Sequence, residues 1–201
     1  MKILTQSALL LTSLVYFVSG QTPPGFSALT NAPSTNRNLF VEFDNVIVTP
    51  GRLLDLDVPT TSPKASFPYH AAPKIHLVLM IDLDAPFADA NRSFSPLLHW
   101  LQPSISATLW TIPDNYTDSK VPAIAPYIQA QPPIGSAPHR YVVLAFQQPQ
   151  KHFSVPLGFL NYYDSSDVET RFRFSVATFI KEAGLKLVAA NWFQVQNTLL
   201  A

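Results

Sequence analysis

The stretch "YIQAQPPIGSAPHRYVVLAF", Tyr127 to Phe146, joins two segments that obey different rules. Its first part sets Pro132, Pro133 and Pro138 around Gly135, which leaves a backbone too restricted for a helix or an inner strand. Its second part, from Tyr141, is an apolar run of strand length. His139, Arg140 and Tyr141 stand at the join. A stiff loop that delivers polar side chains onto the end of a strand is one way to build a binding site. The rival reading is a loop stiffened for stability alone.

The rest of the chain supports a strand-rich scaffold. Its 201 residues suit one domain. Proline is abundant at 19 and glycine sparse at 6, which favours strands joined by stiff turns. Lys+Arg and Asp+Glu are both 13, so there is no basic face and nucleic acid is not expected as a partner. The absence of cysteine removes thiol catalysis and cysteine-based zinc sites, and a chain of this size can build a core without disulfides.

Residues 1–20 read as a cleavable secretory leader. Lys2 gives a positive start, "ALLLTSLVYFV" is an apolar run too short to cross a bilayer, and Val18-Ser19-Gly20 supplies small residues for cleavage near Gly20. Secretion is therefore expected. Two sequons, Asn91-Arg92-Ser93 and Asn115-Tyr116-Thr117, become expected glycosylation sites in that setting.

Along the mature chain, 21–38 reads as a loose arm and 39–201 as the folded domain. "LFVEFDNVIV", Leu39 to Val48, alternates like one strand, and "RLLDLDV" after Pro50-Gly51 like a second. Pro59 to Pro73 reads as a proline-studded loop, and "KIHLVLMI" as a central strand. "LLHWL" and "YVVLAF" follow as strands. From Phe172 to Ala183 the period becomes helical, with Val176, Phe179, Ile180 and Ala183 on one face and Gly184 at the stop. "LKLVAANWFQV" returns to strand. The expected fold is mainly β, a sandwich of antiparallel sheets with one late helix.

Polar residues then cluster at strand ends. Asp82 and Asp84 leave the central strand, His99-Trp100 opens another, and the Pro132-Pro133 loop runs through Gly135 to His139-Arg140-Tyr141. These elements resemble the phosphatidylethanolamine-binding proteins, a family that includes Raf kinase inhibitor proteins and plant flowering-time regulators. The matching motifs are Asp82-Leu83-Asp84-Ala85-Pro86, His99-Trp100, the proline-pair loop ending in His139-Arg140-Tyr141, and the late helix-then-strand. They span roughly Leu39 to Val195. Leu83 stands where the family usually has proline, and Gln131 where glycine commonly precedes the two prolines. The chain ends at Ala201 soon after the last expected strand, so the C-terminal helix that borders the pocket in mammalian relatives is not expected.

The resemblance implies a small anion-binding pocket formed by Asp82, Asp84, His99, Pro132, Gly135, His139 and Tyr141. His99 and His139 can donate to a phosphate or carboxylate, more strongly when protonated, and Tyr141 adds a hydroxyl. An aspartate can orient a histidine or meet the ammonium of a zwitterion such as phosphoethanolamine. One aspartate is expected to form a structural ion pair with Arg140, and Tyr141 and Trp100 also suit plain core positions. His70, His76 and His152 carry no motif. The ligand types would suit zinc, but the spacing does not and Arg140 opposes a cation, so neither metal nor cofactor is expected. No Gly-x-Ser-x-Gly elbow occurs, and sequence proximity alone gives Ser136 no activating geometry beside His139.

Three roles follow from the resemblance. The first is a non-enzymatic binding module for a small anionic or zwitterionic ligand, including membrane phospholipid headgroups. The second is an accessory protein or catalyst, since some fungal relatives are associated with coupling anhydride-bearing polyketide monomers. The third is an inhibitor of a secreted or vacuolar protease.

Overall fold

The computed structural model describes residues 21–66, 75–106, 121–163 and 167–198. The leader expected at 1–20, the Asn115 sequon and His70 lie outside the described residues.

The described strands form two sheets. The smaller holds β1 (Phe40–Phe43), β2 (Val46–Ile47) and β4 (Lys64–Ser66), in the order β2-β1-β4. The larger holds β3 (Arg52–Leu54), β5 (Ile75–Asp82), β6 (Leu97–Ser106), β7 (His139–Gln147) and β8 (Lys186–Val195), in the order β3-β8-β7-β5-β6. Leu77, Leu79 and Ile81 on β5, with Val142, Leu144 and Phe146 on β7, pack against Phe26, Phe159 and Phe179 from helical segments and Phe174 from the chain just before the late helix. The alternate residues Val78, Met80, Val143 and Ala145 pack against Val41, Phe43 and Ala65 of the small sheet. Both faces of the central strands are thus covered, which is why β5 reads as an unbroken apolar run instead of an alternating one.

Several local expectations need correction. Leu39 to Val48 is a hairpin, not one strand. Asp44 and Asn45 take φ of 41° and 72°, a left-handed pair that Asp and Asn tolerate and that turns the chain between β1 and β2. The stretch Pro59 to Pro73 contains β4, which pairs with β1 through Val41 and Ala65. Pro63 precedes that strand rather than interrupting it, so the ladder survives. The strand after Gly51 stops at Leu54 and runs parallel to β8, making the large sheet mixed. Its entry is set at Gly51, where φ is 81° and an added Cβ would come within 3.0 Å of the Trp192 ring.

The segment 21–38 is fastened, not loose. It contains the helix α1 (Phe26–Thr30), it buries Phe26 in the core, and the Pro24 carbonyl accepts from Arg140 Nη1 at 2.8 Å. The late helix α2 spans Val176–Glu182, so it starts after Phe172. Phe172 instead stacks on Phe94 at 4.1 Å, and Arg173 has φ of 55°, which no helix admits. Gly184, with φ of 61°, ends the helical stretch as expected.

Candidate functional site

Strand register brings the site together. Asp82 on β5 lies opposite Tyr141 on β7, with His139 two residues earlier on the same strand. All three occupy the face that the small sheet covers. His99 arrives by an irregularity. Met80 pairs with Trp100 and Ile81 with Leu98, so His99 is an extra residue in β6. A bulge of this kind re-aims a side chain, and the His99 ring meets Tyr141 edge-on at 5.1 Å.

Asp82 is 2% exposed and surrounded by donors. Its Oδ1 accepts the Asp84 N–H at 2.7 Å, and its Oδ2 accepts from His139 Nδ1 at 2.7 Å. Tyr141 also hydrogen-bonds to this carboxylate. Burial first, and the Asp82 charge and hydrogen bond next, hold the Tyr141 hydroxyl well above its ordinary value, so it stays a neutral donor.

His139 therefore has less freedom than its place beside a loop suggests. With Nδ1–H donating to Asp82, Nε2 of the neutral ring is an acceptor, and the Ser136 hydroxyl fills it at 2.9 Å. Both ring nitrogens are occupied. A ligand reaches His139 only by displacing Ser136.

Asp84 is likewise engaged. Its Oδ1 takes Arg140 Nη2 at 2.7 Å and Arg92 Nε at 2.8 Å, and its Oδ2 takes Arg140 Nε at 2.7 Å and Arg140 N–H at 2.9 Å. Burial alone would raise this carboxyl. The Arg140 hydrogen bonds and the charges of Arg140 and Arg92 outweigh it and leave the pKa below the usual 3.8. Asp84 is 1% exposed and has no open face for a ligand. The structural pair expected for Arg140 is this one.

His99 differs from both. Its Nδ1–H donates to the Ile128 carbonyl at 2.9 Å, while its Nε2 is buried without a hydrogen-bond partner among the described residues. Burial pulls its pKa below 6.5, more than the neighbouring Asp82 carboxylate and the Ile128 bond raise it. The ring is thus neutral near pH 7, and Nε2 is an unused acceptor. Sequence reading missed the fully buried Arg171, whose Nη1 donates to the Pro126 carbonyl at 2.6 Å and reaches the His99 carbonyl at 3.5 Å. It secures the segment that carries Ile128. Nothing in the sequence around it speaks of burial.

The stiff loop behaves as its composition suggests. Ser136 N–H closes a turn onto the Pro133 carbonyl at 3.2 Å, and Gly135 supplies the positive φ of 83° that the turn needs. Pro132 is buried, whereas Gly135 is exposed and faces a separate groove beside Ser136. The loop therefore contributes to the central cluster through Ser136 and His139. Asn91, the described sequon, is exposed on the turn between Asp84 and β6. No group of three or more metal-ligating side chains occurs among the described residues.

The comparisons agree with this fold. A family model described as phosphatidylethanolamine-binding protein matches residues 47–193. A relative from Talaromyces stipitatus, named phomoidride biosynthesis cluster protein N, is 34% identical over 187 residues, spanning 86% of this chain and 88% of that protein. The carboxypeptidase Y inhibitor solved with its cognate proteinase superposes with a TM-score of 0.66 at 22% identity, over 86% of this chain and 91% of its own. A phosphatidylethanolamine-binding protein from Plasmodium vivax superposes at 0.64 with 20% identity, over 82% and 90% of the two chains. At such identities these two structures speak to the fold alone.

Proposed function

The chain belongs to the phosphatidylethanolamine-binding protein family, and from that premise we propose that it binds a small anionic or zwitterionic ligand between His99, Asp82 and Tyr141. The observation that carries the reading is the orphaned Nε2 of His99. Buried polar atoms find partners, and leaving one unpaired costs roughly 1–3 kcal/mol. A ligand removes that penalty in either protonation state. Neutral Nε2 accepts from an ammonium or an acid hydroxyl. Protonated, it donates to a phosphate or carboxylate. Asp82 supplies the complementary charge for an ammonium end, which suits a zwitterionic headgroup. Equilibrium dialysis against glycerophosphoethanolamine tests this. Wild type should retain the compound, and His99→Phe should retain little of it. Equal retention by both would end the proposal.

The Talaromyces relative favours a second reading, that the chain serves a fungal specialised-metabolite pathway. The same pocket would then hold acidic monomers while a proton moves at His99 or Asp82. Adding purified protein to such monomers should change dimer yield or product distribution. Products identical to those in buffer would exclude it.

A further inference from the structure

We propose that Ser136, His139 and Asp82 form a hydrogen-bonded triad in which Ser136 Oγ is acylated by a small, uncharged, activated acyl compound. The inference shares Asp82 with the ligand reading, but its nucleophile lies on the opposite side of His139. The directions of the bonds follow from chemistry. The Asp82 carboxylate can only accept, so His139 Nδ1 donates to it at 2.7 Å. Nε2 of the neutral ring can then only accept, so Ser136 Oγ–H donates at 2.9 Å. The Ala88 N–H donates to Ser136 Oγ at 3.1 Å and occupies one of its lone pairs, which fixes where the hydroxyl proton points. Asp82 is itself held by the Asp84 N–H. A nucleophile on a base, with the base oriented by a carboxylate, is the arrangement that activates serine, whatever the order of the three in the chain.

A second observation places a groove beside the triad. Ser136 lines a groove of about 360 Å³ together with Asp89, Gly135, Ala137, Gln196 and Asn197. The loop is pinned there, since Gln196 Nε2 donates to the Ser136 carbonyl at 3.1 Å and the Ser136 N–H closes the turn to Pro133. Ser136 is 1% exposed, so the acyl donor has to be small. Asp89 on the groove wall disfavours an anion. A cyclic anhydride or a small ester meets both conditions. The carboxamides of Gln196 and Asn197 are side chains of the type that donate to an oxyanion.

In the first step the Oγ–C bond forms as the hydroxyl proton passes to His139 Nε2. The carbonyl carbon then releases its carboxylate or alkoxide, which takes that proton. In the second step a water gives a proton to Nε2 and attacks the acyl carbon. The Oγ–C bond breaks and Oγ recovers the proton. The sum is one acyl compound and one water giving an acid and the protonated leaving group, the two being joined in a single diacid when the donor is a cyclic anhydride.

The test is labelling of the full chain with a fluorophosphonate probe, read by peptide mass. Folded wild type should carry one adduct on Ser136. That adduct should be absent in Ser136→Ala and in urea-unfolded wild type. In His139→Gln it should form slower by roughly 10²-fold or more. No adduct on folded wild type, or an adduct rate unaffected by unfolding, would overturn the proposal and leave Ser136 as a positioning residue for the His139 tautomer. Retention of glycerophosphoethanolamine by the same wild-type preparation reports on the central pocket separately, so either idea can fail without the other.

Discussion

Asp84 and Arg140 form a two-pronged ion pair, with Oδ1 on Nη2 and Oδ2 on Nε, each at 2.7 Å. Arg140 also reaches the Pro24 carbonyl, so the pair ties the end of β5, the start of β7 and the N-terminal segment into one unit. Removing one member of such a buried pair strands the other. Asp84→Ala should destabilise the fold by about 3–5 kcal/mol in urea unfolding. The folded carboxyl lies below its unfolded value, so its contribution is present above that value and is lost as pH falls through the folded one. Asp84→Asn should therefore flatten the acid limb of the stability curve below about pH 4.

His99 predicts a pH dependence at a different place. Its folded pKa is pulled below the unfolded value by burial, so the unfolded chain binds the extra proton. Its contribution is complete above about pH 6.5 and is lost progressively as pH falls from there. Urea midpoints measured between pH 7.5 and 5 should fall more for wild type than for His99→Phe. Parallel curves would show that His99 does not titrate as its burial requires.

Gly135 isolates the cost of the stiff turn. An added Cβ would meet nothing within 4 Å, so the penalty of Gly135→Ala is one of backbone conformation alone. It should cost about 1–2 kcal/mol in thermal or urea unfolding. A neutral result would mean that the turn relaxes without φ above zero.

The chain's patterns revealed the fold more fully than the site. Apolar runs located the central strands because both sheet faces are buried there, and the motif order carried the family. Turn chemistry was the weak point. Asp44-Asn45 split an alternating run that looked continuous, and Ala65 paired despite flanking prolines. At the site, residue types were legible but their partners were not. Asp82 and Asp84 look alike in sequence. Register placed one against His139 and the other against Arg140. The bulge that turns His99 depends on pairing with a separate strand, and the Ser136 hydroxyl fills His139 Nε2 from three residues away only because the turn between them folds back.

Secretion and glycosylation are direct to check. Material exported by a eukaryotic host should begin at or near Gln21, as N-terminal sequencing would show. Asn91 is exposed, and its Oδ1 accepts the Ser93 N–H at 2.9 Å within the sequon. Glycosidase treatment should lower the intact mass. An intact Met1 would contradict export, and an unchanged mass would contradict glycan at this position.

The central claim is that His99 Nε2 is the group waiting for a ligand, and proton-linked calorimetry tests it most directly. Glycerophosphoethanolamine is the right probe because its phosphodiester does not titrate between pH 5.5 and 7.5. A neutral buried imidazole must gain a proton to donate to that phosphodiester. Affinity should therefore strengthen as pH falls across this range, with proton uptake visible as a difference between buffers of unlike ionisation heat. His99→Phe should weaken binding at pH 5.5 by about 1.5–3 kcal/mol, the range for hydrogen bonds to charged groups. It should also abolish the proton uptake. Binding that is independent of pH and untouched by His99→Phe would contradict the account.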